Sequence, residues 1–238
     1  MIEFWKMSGS GNDFILIDNR QGRVPEDEMG SFTRKVCRRR ESVGADGTIF
    51  VSESQNYDFR WHYLNADGGE AEMCGNGARC VARFAFMKGI AGQKMTFQTL
   101  AGPVSAEVAG RMVKVLTPSP SGLETDIDIQ HKPGWNDPSF SPAGTNADFI
   151  NIVSSDLIEM RTYERGVEDE TLACGTGAIA SAVVASARDM VHSPVRVKTR
   201  GGEELKIYFK KKGMLFEEVW LEGTTSLIYE GRLNEEAL

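Results

Sequence analysis

The chain has 238 residues, 41% hydrophobic and 26% charged, the balance of a soluble globular protein with length for one large domain or two small ones. Lys and Arg number 27 against 34 Asp and Glu, a net charge of −7, which argues against a broad nucleic-acid-gripping surface. No apolar run approaches the ~20 residues that span a bilayer, and MIEFWKMSGS at the N-terminus lacks the basic-then-apolar pattern of a secretory leader; no membrane association and a cytoplasmic location are expected.

Alternating or β-rich runs predict strands near 2–5, 13–18, 47–52, 57–64, 104–109 and 112–116 in the first half. A helix is predicted over 25–38, with Pro25 in its first turn, three acidic residues at its start, and Arg38, Arg39 and Arg40 complementing the dipole at its end. A second helix follows Gly77 and closes at Gly89, which suits a C-cap. The stretch 117–145 holds five of the eight prolines and reads as an inter-domain connection. Beyond it strands are predicted near 147–153, 157–163, 194–200, 204–210, 214–221 and 226–231. A third helix follows Gly177, apolar or small nearly all round, and is expected to be buried on all sides.

Cys37, Cys74, Cys80 and Cys174 form no CxxC pair, and the three His are scattered. Neither a disulfide framework nor a structural metal is expected. Two of the cysteines sit in an internal repeat. Glu70-Ala-Glu-Met-Cys74-Gly-Asn-Gly-Ala78 matches Glu170-Thr-Leu-Ala-Cys174-Gly-Thr-Gly-Ala178, 100 positions later. The repeat predicts two similar halves, each a sheet wrapped around a central helix with a cysteine at its start.

That position carries chemistry. Unsatisfied N–H groups and the positive end of the helix dipole stabilise a thiolate, and glycines let the backbone approach and hold a carboxylate. Two such thiols on either side of an amino acid could invert its α-carbon without a cofactor. One takes the α-proton from one face, and the other returns a proton to the opposite face. Buried packing is the competing role for the same cysteines. Ser8 to Phe14 is a Gly-rich turn entering a strand, and Asn65 to Gly69 and Gly144-Thr145-Asn146 are turn-like. These fit plain turn chemistry equally well. Glu164-Arg165 is either an ion-pair-capable dipeptide solvated at the surface or, through its guanidinium, a fork for a second carboxylate.

The chain resembles the diaminopimelate epimerase family. The resemblance rests on Lys6-Met7, Gly11-Asn12-Asp13-Phe14, Gly44-Ala45-Asp46-Gly47, the run from Asn65 through Cys74 to Cys80, Gly144-Thr145-Asn146, and the run from Tyr163 through Cys174 to Gly177. It implies an α+β fold of two pseudo-symmetric domains, each a curled, mostly antiparallel sheet around a central helix. The boundaries expected are 1–117 and 118–225, with 226–238 returning to the first domain. It implies Cys74 and Cys174 as acid/base residues of a pyridoxal-independent, two-base epimerase that interconverts LL- and meso-diaminopimelate on the route to lysine. Asn12, Gly75, Asn76, Gly175 and Thr176 would hold the reacting head. Asn65, Asn146, Glu164 and Arg165 would read the distant amino and carboxylate groups. No cofactor and a homodimer are implied.

Two departures stand out. Family members often carry His where this chain has Ser8. They also have a middle segment with an Asn-x-Gly-x-Pro-His stretch, where this chain runs from Trp135 straight to Asn136. A substrate-contacting Asn would go with that segment, and residues left out of the sequence at this point are the expected reason. A proline or hydroxyproline racemase shares the paired-cysteine logic, though Arg165 and the Asn set argue against it. A non-catalytic binding protein of the same fold is the other alternative.

Overall fold

The computed structural model describes residues 1–119, 145–164 and 169–237. Contacts divide the chain into two compact units, Met1–Leu116 with Glu222–Leu238, and Thr117–Leu221. In chain order the first unit contains β1 (Ile2–Gly9), β2 (Asn12–Asp18), α1 (Met29–Val36), β3 (Gly47–Ser52), β4 (Phe59–Asn65), α2 (Gly75–Met87), β5 (Lys94–Thr99), β6 (Gly102–Ala109) and β7 (Met112–Leu116). The second contains β8 (Ala147–Ser154), β9 (Leu157–Glu164), β10 (Asp169–Thr171), α3 (Gly175–Ala187), β11 (Val195–Lys198), β12 (Glu204–Lys212) and most of β13 (Leu215–Thr224). The last strand, β14 (Ser226–Leu233), belongs to the first unit and pairs antiparallel with β1.

Strand order in the first unit is β7-β6-β5-β4-β3-β2-β1-β14. Its neighbours are antiparallel except for the parallel pairs β2–β3 and β4–β5. A parallel pair needs a crossover, and α1 and α2 lie in the connections that supply the two. The second unit repeats the device. β8 and β9 pair antiparallel, α3 lies in the crossover, and β11 returns parallel to β9. Antiparallel β12 then follows β11 and is itself bordered by β13.

α2 is wrapped by β1, β2, β3, β6 and β7 of its own unit. Its inner face carries Val81, Phe84 and Ala85, and Phe84 meets Trp5 of β1 edge-on with ring centroids 5.1 Å apart. Each such aromatic withdrawn from water adds roughly 2 kcal/mol. α3 packs against β8, β9, β11 and β12. It is not buried on all sides as expected, because Thr176 and Ala180, one turn apart, face out.

The other differences are local. The helix expected over 25–38 is a 3₁₀ turn at Glu26–Glu28 followed by α1, which stops at Val36. Arg39 therefore caps nothing. Its guanidinium instead donates to Asp13 and Asp46, at 2.6 and 2.8 Å. Sequence reading also passed over β5, although Met95, Phe97 and Thr99 alternate inward along it, and over β10, whose three residues are too few to show a period.

Candidate active site

Both repeated cysteines are helix N-caps. Cys74 precedes α2 with extended backbone (φ −143, ψ 116), and its Sγ accepts the N–H of Gly77 at 3.4 Å. Cys174 precedes α3 in the same conformation (φ −123, ψ 116), and its Sγ accepts the N–H of Gly177 at 3.5 Å. A sulfur thus takes the place that a Ser or Asp oxygen usually fills. Gly75 and Gly175 are the first helical residues.

Around Cys174 stand the Thr176 hydroxyl, 3.3 Å from the sulfur, and the Asn146 amide nitrogen at 3.5 Å. Asn146, expected to read a distant group, is thus also a neighbour of this thiol. The sulfur's environment departs from the helix-start expectation. Burial pushes the Cys174 thiol above its usual range, and Glu164 and Asp148 add to the shift. Hydrogen bonds from Thr176 and the Gly177 N–H oppose it without overcoming it. Cys174 is 5% exposed, and its burial is the largest cause of the shift. Glu164 ends β9, opposite Asp169 of β10. Arg165 lies outside the described residues, as do Trp135 and Asn136.

The first unit gathers the others. Asn12, at the start of β2, accepts at its Oδ1 from Asn76 Nδ2 at 2.6 Å. Asn65, at the end of β4, accepts at its Oδ1 from the Tyr63 hydroxyl at 2.7 Å. Tyr63 was assigned no role from sequence. Its position two residues before Asn65, on the same face of one strand, was the available signal. Burial raises its pKa, and the neighbouring Cys74 raises it further, so the phenol stays a donor. Asp148 was missed as well. Its carboxylate, which accepts from Thr162 Oγ1 at 2.6 Å, lies against the Cα of Gly177, where an added Cβ would meet it at 2.3 Å.

Among the described residues no group of three or more His, Cys, Asp or Glu is placed to hold a metal, and no helix is long and apolar enough to cross a membrane.

The fold is shared with solved structures. A phenazine biosynthesis protein of the PhzF family from Bacillus anthracis matches with a TM-score of 0.71 at 16% identity, over 98% of this chain and 99% of that one. A probable proline racemase from Agrobacterium radiobacter matches with a TM-score of 0.71 at 14% identity, over 99% and 93%. At such identities the likeness defines the fold alone.

Sequence comparison goes further. The family model described as diaminopimelate epimerase matches residues 4–121 and 125–223. The diaminopimelate epimerase of Aquifex aeolicus is 43% identical over 280 aligned positions, covering 100% of this chain and 99% of the relative. That of Archaeoglobus fulgidus is 38% identical, covering 98% of each. The chain belongs to the diaminopimelate epimerase family. The Aquifex alignment is 280 positions long against 238 residues here, so 42 of its positions carry no residue of this chain.

Proposed function

We propose that this protein is an epimerase that interconverts LL- and meso-diaminopimelate, with Cys74 and Cys174 as its proton carriers. The observation that carries the reading is the repeated motif itself: each unit ends a β-strand, turns, and starts its buried helix on a cysteine whose sulfur accepts a backbone N–H. Kinship with relatives named diaminopimelate epimerase, up to 43% identical over the full chain, supports the substrate.

Inversion requires that a proton leave one face of the α-carbon and that another arrive on the opposite face. One cysteine must therefore begin as thiolate and the other as thiol, and they titrate as a pair. Charge that builds on the α-carboxylate as the proton leaves is met by N–H donors at the helix starts, Gly75, Asn76, Gly175 and Thr176, and by Asn12. Asn65, Asn146, Glu164 and Arg165 read the far amino and carboxylate groups. The enzyme needs no cofactor and acts in the cytoplasm as a homodimer, a state that light scattering after size exclusion checks. The racemase alternative is less favoured, since kinship to that class extends only to the fold at 14% identity or below.

Deuterium uptake at the α-carbon is the test. Diaminopimelate incubated with the protein in heavy water should gain one deuterium as it inverts. Exchange of proline but not of diaminopimelate would overturn the substrate, and exchange of neither would support the binding-protein alternative.

A further inference from the structure

Two amides assigned to substrate binding, Asn12 and Asn76, sit in the middle of a directed chain of hydrogen bonds. Arg79, on the second turn of α2, is fully buried. Its Nη2 donates to Asn76 Oδ1 at 2.5 Å and to the Ser10 hydroxyl at 2.6 Å. Asn76 Nδ2 donates to Asn12 Oδ1 at 2.6 Å, and Asn12 Nδ2 donates to Asp46 Oδ2 at 3.2 Å. The other Asp46 oxygen accepts from Arg39 at 2.8 Å. Gly9 makes the approach possible, because a Cβ there would meet the Asn76 carbonyl at 3.0 Å and the Cys80 sulfur at 3.1 Å.

An amide side chain presents an oxygen on one side and an NH₂ on the other, and turning it over exchanges acceptor for donor. Two amides in series could run in either direction. Here the direction is set at the ends: a guanidinium can only donate, and an ionised carboxylate can only accept. With both ends fixed, each Asn spends its oxygen and one N–H inside the chain and keeps its second N–H. That is the group an α-carboxylate needs.

We propose that Arg79 and Asp46 are positioning residues that hold the Asn76 and Asn12 amides with their remaining N–H groups available to the substrate carboxylate. The proposal rests on the reading of Asn12 and Asn76 as ligands of the reacting head. It extends that reading to two residues that touch the substrate only through them. Arg39 supports the acceptor end, and Ser10 ties the β1–β2 turn to the donor end.

The test uses the full-length enzyme with LL-diaminopimelate, each variant checked for a native circular dichroism spectrum. Asp46→Asn is nearly isosteric but can donate, so the acceptor end no longer fixes the direction of the chain. KM should rise about tenfold, the cost of one misdirected hydrogen bond to the substrate, with a smaller fall in kcat. Arg79→Gln should do the same, and Arg79→Lys, still donor-only, should recover most of the loss. Asp46→Asn added to Asn12→Ala should raise KM no further than Asn12→Ala alone. Additive losses, or an Asp46→Asn enzyme with unchanged KM beside an Asn12→Ala enzyme that is impaired, would overturn the proposal. An Asn12→Ala enzyme with unchanged KM would instead overturn the ligand reading beneath it. If Arg79→Gln fails to fold, the Asp46 pair still decides.

Discussion

The backbone N–H of Gly177 points at the sulfur of Cys174, 3.5 Å away, and the carboxylate of Asp148 occupies the space that a Cβ on the same glycine would need. In the first unit Gly77 holds the equivalent relation to Cys74 at 3.4 Å, but the nearest atom to an added Cβ is the end of the flexible Ile49 side chain at 3.2 Å.

The two glycines should therefore differ in tolerance. Gly177→Ala forces a methyl to within 2.3 Å of Asp148 Oδ1. It should cost about 1–3 kcal/mol of stability and displace the thiol. Gly77→Ala should be milder, because Ile49 can shift. Thermal unfolding and turnover of the two variants side by side check this. Equal losses would show that the carboxylate contact is immaterial.

Loss of either cysteine should stop the reaction. Cys74→Ala and Cys174→Ala each remove one proton carrier and should lower kcat by at least roughly 10²–10⁴-fold, with circular dichroism unchanged. Near-full activity of either variant in both directions would refute the two-base scheme.

Cys174 should resist alkylation at neutral pH in the free enzyme. Burial lifts its thiol above the ordinary 9.0, so the reactive thiolate is scarce at pH 7. Iodoacetamide labelling followed by peptide mass spectrometry should give a half-maximal rate above pH 9 at this site. A midpoint near or below pH 8 would mean that the helix end outweighs desolvation.

Acid should weaken the first unit through Asp13. Burial alone would raise this carboxyl, but hydrogen bonds from Arg39 and Lys6, with their charges, bring it down from the ordinary 3.8 to about 2. A pKa depressed on folding contributes stability above the unfolded value, lost as pH falls through the folded one. The contribution, on the order of 1 kcal/mol once solvent screening around the exposed Arg39 partner is allowed for, should disappear between about pH 4 and pH 2. Denaturant titrations over that window should show a steeper loss for the native protein than for Asp13→Asn. Parallel curves would show that the ion pairs persist in the unfolded chain or contribute nothing.

Much of the architecture was legible because it is encoded over short range. Helix formers after a Cys-Gly-x-Gly turn, with Gly89 at the end of one run, marked α2 and α3, and alternation marked most strands. The pattern could say that a sulfur starts each helix, because the cap is a contact between residues three apart. It could not weigh desolvation against the helix end, since the burial of Cys174 depends on strands brought in from elsewhere in its unit. Nor could it separate Arg39 from its neighbours in the Arg run, because the carboxylate that claims it is 26 positions away at Asp13.

From the order of residues alone come the repeated cysteine, its glycines and the family to which the chain belongs. Folding decided what those residues face. Only there do Arg79 and Ser10, 69 positions apart, share a hydrogen bond, and only there does an amide acquire a direction. Hydrogen-bond polarity is a property of neighbours in space, and a linear pattern names the groups without saying which will donate to which.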